Sequence, residues 1–269
     1  MLPLLTGRRI VALTGAGCST ESGIPDYRSN GRSGPRNPIQ HAAFLQREDV
    51  RRRYWARATL GWARFRAAEP NPAHRALASL EEAGLLTGVI TQNVDRLHHR
   101  AGSRRVVELH GALSEVSCLR CGVAEERDEL QQRLLEANPG WLELGADALP
   151  DGDSDLPADL VAGFRVVGCR PCGGDLKPNV VFFGGSVSAP TLAAAWDLFA
   201  AGEVLLVVGS SLTVYSGFRF IRRAQELALP IAVINIGPTR ADDLVQAKVS
   251  APASEVLPRL ARQLRARSR

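Results

Sequence analysis

Four of the five cysteines fall in two matched pairs, Cys118-Leu119-Arg120-Cys121 and Cys169-Arg170-Pro171-Cys172, each followed by a glycine, Gly122 or Gly173. A C-x2-C knuckle places two thiolates on one tight turn, and two knuckles can surround one tetrahedral Zn²⁺. Four protein ligands leave no open position, so such an ion would be structural. The alternatives are two redox pairs or unconnected surface cysteines. The 47 residues between the pairs exceed the usual ~15–20, which calls for an insertion inside the ribbon. The fifth cysteine, Cys18, directly follows Gly15-Ala16-Gly17. Glycines after a strand let backbone N–H groups approach a pyrophosphate. The segment departs from the dehydrogenase fingerprint: Thr20 holds the third glycine position, and Pro35-Arg36-Asn37, about 20 residues on, include no acid. A dinucleotide would be held in another manner, or the glycines serve only a turn.

These groups need a scaffold, and the chain repeats one. Apolar runs 10–13, 89–91, 106–109, Val204–Val208 and Ile231–Ile234 end respectively in Thr14-Gly15, Gln92-Asn93, His110-Gly111, Gly209-Ser210-Ser211 and Asn235-Ile236-Gly237. Most are continuously apolar, the pattern of strands buried on both faces of a parallel sheet. Helical stretches are expected at 72–83, 191–201 and 217–229, with a closing helix after Ser254. The alternation predicts a doubly wound α/β fold. Residues 29–68, with Phe44, Tyr54, Trp55, Trp62 and Phe65, and the cysteine-bearing stretch interrupt the rhythm as insertions.

The 269 residues suffice for a sizeable core, and 45% hydrophobic with 23% charged is ordinary for a globular chain. Apolar runs reach only five residues, as in Val204–Val208, far short of a membrane span. No membrane association is expected. Of 33 basic residues only Lys177 and Lys248 are lysines, and the net charge is +5. Acidic segment 141–160 alternates with basic clusters at 51–57 and 259–269, which reads as solvated faces rather than a nucleic-acid stripe. The first nine residues carry no secretory-type segment, and a reducing, cytoplasmic location is the expectation.

Longer motifs narrow the reading. Residues 15–29, GAGCSTESGIPDYRS, resemble the sirtuin signature G-A-G-x-S-x-x-S-G-I-P-D-[FY]-R-S. Thr91 to His98, TQNVDRLH, resemble T-Q-N-[IV]-D-x-L-H; Leu109-His110-Gly111 resembles its H-G element. Lys177 to Gly184, KPNVVFFG, are similar to K-P-x-V-V-x-F-G, and Gly209-Ser210-Ser211-Leu212 and Asn235-Ile236-Gly237 complete the order. Residues 25–29, 53–57, 70–74 and the long ribbon insertion resemble the sirtuin-four-like class II branch.

The resemblance implies a Rossmann-like NAD domain (1–28, 84–114 and 176–269), a helical insertion (29–83) and a zinc-ribbon module with the class II insertion (115–175), with the active site in the cleft. It implies an NAD⁺-consuming protein-lysine deacylase that releases nicotinamide, O-acyl-ADP-ribose and free lysine. The substrate would be an acyl-lysine protein or peptide, the ribbon would hold one structural Zn²⁺ on Cys118, Cys121, Cys169 and Cys172, and the chain would be a monomer. The pyrophosphate would meet Gly15, Ala16, Gly17 and Arg28, and Ser210, Ser211 and Asn235 would hold the adenosine side. Ser19, Thr20, Ile24, Pro25, Asp26, Tyr27, Val94, Gly209, Ile236, Gly237 and Ala253 join the cofactor contacts by the same resemblance. Gln92, Asn93 and Asp95 would surround nicotinamide and its ribose. His110, at an ordinary imidazole pKa near ~6.5, would take a proton from a ribose hydroxyl as general base.

Val180, Val181, Phe182, Phe183 and Gly184 would form an extended edge and apolar wall for the substrate strand. Many relatives carry an acid after F-G where this chain has Gly185. Tyr54-x-x-Arg57 resembles the pair that reads acidic acyl groups, with Arg57 on a distal carboxylate; a surface arginine is the plain alternative. His41, His74, His98 and His99 read as packing or surface histidines, and Cys18 as a small buried hydrophobe. Mono-ADP-ribosyl transfer or lipoamidase activity from the same site, or a non-catalytic NAD and zinc-ribbon binder, are the competing readings.

Overall fold

A computed structural model describes residues 1–26, 38–144 and 156–268. Its strands are β1 (Ile10–Thr14), β2 (Leu86–Thr91), β3 (Val106–Glu108), β4 (Gly111–Cys118), β5 (Ala124–Glu126), β6 (Leu176–Val180), β7 (Val204–Val208), β8 (Ile231–Ile234) and β9 (Ala247–Val249). The helices are α1 (Leu2–Leu5), α2 (His41–Gln46), α3 (Glu48–Ala67), α4 (Pro72–Glu82), α5 (Leu97–Arg100), α6 (Arg127–Ala137), α7 (Ala158–Ala162), α8 (Ala189–Ala200), α9 (Tyr215–Glu226) and α10 (Ala253–Arg267). None of the described helices is long and apolar enough to cross a membrane. The chain divides into two compact units, one of Met1–Asp26, Glu69–Leu109 and Val187–Arg269, the other of Tyr27–Ala68 and His110–Ser186.

The first unit holds a six-stranded sheet in the order β3-β2-β1-β7-β8-β9, parallel throughout. Its strands are apolar on both sides because each side has its own cover. Ile10 and Ala12 of β1 join Leu77 and Leu80 of α4 and Leu257 and Leu260 of α10 in one core. Val11 and Leu13 join Leu198 and Phe199 of α8 and Phe220 and Ile221 of α9 in the other. This is the doubly wound Rossmann-like arrangement. Its topological switch lies between β1 and β7, where strand order reverses and ligands of such sheets bind beyond the carboxyl ends.

Helix α4 belongs to this unit, which corrects the expectation that all of 29–83 is a helical insertion. The reason is packing: Ala73, Ala76, Leu77 and Leu80 share the core of β1 and α10. The helix begins at Asn71, whose Oδ1 accepts from Ala73 N at 2.8 Å, while His74 Nδ1 accepts from Asn71 N at 3.2 Å. His74 N also donates to Asn71 Oδ1 at 3.4 Å, which completes a capping box, and Pro72 occupies the first helical position.

The second unit contains an antiparallel sheet in the order β5-β4-β6 and helices α2, α3, α6 and α7. Helix α3 runs twenty residues with Glu48 and Asp49 in its first turn and Arg64 and Arg66 in its last, complementing the helix dipole. It buries Tyr54, Trp55 and Ala58 in a core that also takes Phe44, Leu130, Leu134, Phe164, Leu176 and Phe182. The small second sheet was not among the predicted strands, although 180–184 was expected to be extended.

Candidate active site and zinc ribbon

In the first unit the glycine-bearing loop closes against the end of β7. Gly15 N donates to Val208 O at 3.0 Å and Gly17 N to Gly209 O at 2.8 Å. A Cβ on Gly15 would lie 2.8 Å from Ser210 Cβ, and one on Gly209, where φ is +60°, only 2.2 Å from Cys18 N. The two loops are thus packed backbone to backbone, a demand for glycine that the protein alone imposes. Ser210 Oγ donates to Gln92 Oε1 at 2.7 Å, tying the third loop of the switch region to the second.

Beneath these loops lies a buried polar chain centred on Ser19. Its hydroxyl donates to Asp95 Oδ2 at 2.7 Å and accepts from Asn93 Nδ2 at 3.0 Å. His74 Nε2 stands 3.4 Å away on the remaining side. With His74 Nδ1 accepting from Asn71 N, the ring proton is assigned to Nε2, and Ser19 then uses one donor and two acceptors in full. Asn93 Nδ2 also donates to Gly15 O at 3.1 Å, and Asn93 N to Thr91 Oγ1 at 3.1 Å. Thr14 Oγ1 donates to Thr91 Oγ1 at 2.8 Å and meets His98 Nε2 at 2.9 Å. Burial pushes the Asp95 carboxyl up, opposed by the Leu97 N–H and the Ser19 hydroxyl. Burial pulls His74 down to about 4 and His98 well below the usual imidazole range, so both rings are neutral.

Gly15, Ala16, Gly17, Ser19, Thr20, Gln92, Asn93, Val94, Asp95, Gly209, Ser210 and Ser211 therefore cluster around the strand ends of one sheet. Ile24 is buried just beyond them, with Pro25 and Asp26 next in sequence and half-buried. Tyr27 and Arg28 lie outside the described residues. Asn235 follows β8, but its amide donates to Ile236 O at 2.9 Å and Gly237 O at 3.3 Å, in its own turn. Ile236 is exposed, and Ala253 opens α10 with its methyl in the sheet core. Sequence alone marks His74 and His98 as packing or surface residues. Their place in the chain around Ser19 depends on a contact between α4 and α5, rings 4.8 Å apart, that no local pattern announces.

In the second unit His110 directly precedes β4, and its carbonyl accepts from Val181 N at 2.9 Å. Gly111, at φ +76°, lets the β4 backbone meet β6: a Cβ there would stand 2.0 Å from Asn179 O. His110 is thereby pinned by main chain to the start of the segment 180–184. Val180 and Val181 are half-buried, Phe182 is buried, and Phe183 and Gly184 are exposed. Phe183 bridges Gln40 and accepts from His41 N at 2.8 Å. Tyr54 is 5% exposed, its ring set edge-on to Phe44 at 5.5 Å and to Phe182 at 5.3 Å, while Arg57 on the same helix is half-buried.

The four ribbon cysteines converge, with all Sγ atoms within 4.8 Å of one another. Cys118 and Cys172 Sγ are 3.5 Å apart, and Cys121 and Cys169 Sγ are 3.7 Å apart. A disulfide needs about 2.05 Å, whereas sulfurs at ~2.3 Å from a tetrahedral zinc stand about 3.8 Å from each other. The donor set and its spacing fit Zn²⁺. The knuckles repeat each other: Gly122 N donates to Cys118 O at 3.0 Å and Gly173 N to Cys169 O at 2.8 Å, with both glycines at positive φ. N–H groups of Cys121 and Arg120 aimed at Cys118 Sγ favour its thiolate and bring the thiol down to about 6.

Comparison with known proteins agrees with this architecture. The Sir2 family profile matches residues 15–216. The chain is 51% identical over 243 residues to NAD-dependent protein deacetylase 2 of Bradyrhizobium diazoefficiens, covering 90% of this chain and 89% of that one. It is 49% identical over 256 residues to the NAD-dependent protein lipoamidase sirtuin-4, mitochondrial, of Homo sapiens, covering 93% and 81%. A solved complex described as Sir2-p53 peptide-NAD+ superposes with a TM-score of 0.76 at 32% identity, covering 97% of this chain and 96% of that one. The chain belongs to the Sir2 family, the sirtuins.

Proposed function

We propose that this protein is an NAD⁺-dependent protein-lysine deacylase. The observation that carries the proposal is the saturated network of Asn93, Ser19, Asp95 and Gly15 at the β1–β7 switch point, in a chain whose relatives are named NAD-dependent deacetylases and deacylases. NAD⁺ supplies the electrophilic ribose carbon. The loop 15–17 carries nothing larger than one methyl group, which leaves room for a pyrophosphate beside it, while Gly15 N and Gly17 N are committed to Val208 O and Gly209 O and hold the loop in place. Asn93, held by two hydrogen bonds from its amide, and Asp95, fixed by Ser19, orient the nicotinamide end. Bringing an acyl oxygen and that carbon into attack geometry needs fixed groups of this kind. His110 takes the ribose hydroxyl proton, and its backbone is anchored by Val181 N at the start of the segment 180–184 read as the substrate edge.

The zinc would be held by Cys118, Cys121, Cys169 and Cys172, closed to substrate and structural in role. We also read the activity as one of a reducing compartment, which keeps these four sulfurs reduced and available to the metal. A carboxylate-bearing acyl chain is the finer proposal, supported by Tyr54 lying edge-on to Phe182 of the substrate wall and by Arg57 one helical turn on. The lipoamidase name of one relative favours a second reading, a long neutral acyl chain in place of an acidic one.

A panel of acyl-lysine peptides with NAD⁺, following nicotinamide and peptide mass, tests all of this. His110→Ala is expected to lower nicotinamide release by about 10²–10⁴-fold while NAD⁺ binding persists; equal turnover by the variant would refute the assignment. Arg57→Ala should lower glutaryl-type turnover relative to acetyl, and equal rates with wild type would remove Arg57 from the acyl site. An ADP-ribosylated protein in place of O-acyl-ADP-ribose would favour the transferase reading.

A further inference from the structure

Beside the buried chain around Ser19 stand three groups that the deacylase mechanism does not use. Cys18, His74 and His98 are 1%, 0% and 1% exposed. One ligand atom from each lies within 4.8 Å of the other two. His98 gives its Nε2 to Thr14, and its other ring nitrogen, Nδ1, is buried with no partner. If Nε2–H is the donor to Thr14, Nδ1 carries a bare lone pair. An orphaned acceptor in a dry interior is costly, and native structures rarely keep one without use. A thiol, a bare imidazole nitrogen and a second imidazole form a donor set for a borderline to soft divalent ion.

We propose that Cys18, His74 and His98 form a second metal site, distinct from the ribbon, that takes a Zn²⁺-class ion and switches off the nucleotide loop. Binding at Zn–S ~2.3 Å and Zn–N ~2.0–2.1 Å draws the three atoms together by about 1 Å. The Cys18 S–H bond breaks, an S–metal bond forms, and the proton leaves to solvent. His98 coordinates through Nδ1 with its Thr14 bond intact. His74 coordinates through Nε2, so its ring proton moves to Nδ1. That transfer removes the acceptor for Asn71 N–H at the start of α4 and the donor on the third side of Ser19. Ser19 is the residue that holds both Asn93 and Asp95, so metal binding loosens the groups assigned to nicotinamide. The cost of these lost bonds keeps the site weaker than the four-thiolate ribbon and suits it to regulation. Since all three side chains are buried, uptake requires local opening of the loop.

The inhibitory effect rests on the deacylase reading, whereas the metal site does not. Full-length protein with its ribbon zinc in place is titrated with Co²⁺, followed by metal analysis and by the thiolate-to-cobalt absorption in the near ultraviolet. Wild type is expected to reach two metals per chain, with the sulfur–cobalt band arising on the second. Cys18→Ala and Cys18→Ser should stay at one metal without the band, and circular dichroism establishes that they are folded. One metal per chain in wild type, or a band that persists in both variants, overturns the site. With Zn²⁺ at the same occupancy, nicotinamide release should fall at least tenfold in wild type and less than twofold in the variants. Undiminished release by the two-metal wild type overturns the switch. Absence of any nicotinamide release before metal addition counts against the deacylase reading and leaves the metal count standing.

Discussion

Around Ser19 the hydroxyl meets Asn93 and Asp95 of one loop and His74 of α4, and two further loops are sealed by glycine backbones in contact. Around the ribbon cysteines, four ligands that repel one another as thiolates stand 3.5–3.7 Å apart across the two knuckle pairs. The Gly15–Gly17 region is therefore complete as protein, and neutral groups dominate it. The ribbon is complete only with a cation. Sequence carries the second kind of site more openly, since ligands for one ion must repeat in type and spacing. It carries the first kind poorly, because satisfaction there is shared among residues far apart in the chain.

Four measurements probe that contrast. Removing the ribbon metal should have the largest effect, since structural zinc is worth about 10–16 kcal/mol and domains are stable by only about 5–15 kcal/mol. Hydrogen exchange after chelation is expected to show lost protection over β4, β5, β6 and α6 with β1, β7 and β8 still protected; simultaneous loss in both would erase the distinction. Next comes Gly209→Ala, which must place a Cβ 2.2 Å from Cys18 N at φ +60°. Strain and overpacking together should cost about 4 kcal/mol in denaturant unfolding, and a loss under about 1 kcal/mol would show that the loops are looser than their contacts.

The third is acid. His74 lies near 4 when folded and near ~6.5 when unfolded, so below about pH 6.5 the unfolded chain binds the extra proton. Stability contributed by the neutral ring is full above that pH and is lost as pH falls from 6.5 to about 4, by of order 3 kcal/mol. Protection of β1 and β7 measured by hydrogen exchange with no metal beyond the ribbon zinc should fall across that window; a flat profile would mean that His74 is hydrated. The smallest effect is expected for Gly122→Ala. Its φ is +73° but nothing lies within 4 Å of the added carbon, so only about 1–2 kcal/mol of left-handed strain is at stake. A larger loss would mean that the knuckle is as tightly packed as the nucleotide loop.

Much of the fold could be read from sequence because burial on two faces leaves continuous apolar runs: strands 10–13, 204–208 and 231–234 stand where expected. The cysteine knuckles were equally plain. The allegiance of α4 was not, because its amphipathic pattern says that it has a core and not which one; the contact of Leu77 and Leu80 with β1 decides it. Asn235 follows its strand as expected, yet its amide is spent on its own turn. The short edge strands β5 and β9, of three residues each, are too brief for periodicity to register. His74 and His98 are 24 positions apart, and only the folded chain brings their rings together.

The long helix α3 has one more consequence, for how this molecule can be watched. The chain has four tryptophans, and three sit in the second unit with their indole N–H groups committed. Trp55 donates to Leu176 O at 3.2 Å, Trp141 to Ala56 O at 2.9 Å and Trp62 to Asp128 Oδ1 at 2.8 Å. The fourth, Trp196, lies in the first unit against Phe220 at 4.5 Å. Emission excited at the indole band is thus weighted towards the ribbon-bearing unit. The protein carries its own optical label for that half, and Trp196→Phe would make the label exclusive without adding a dye.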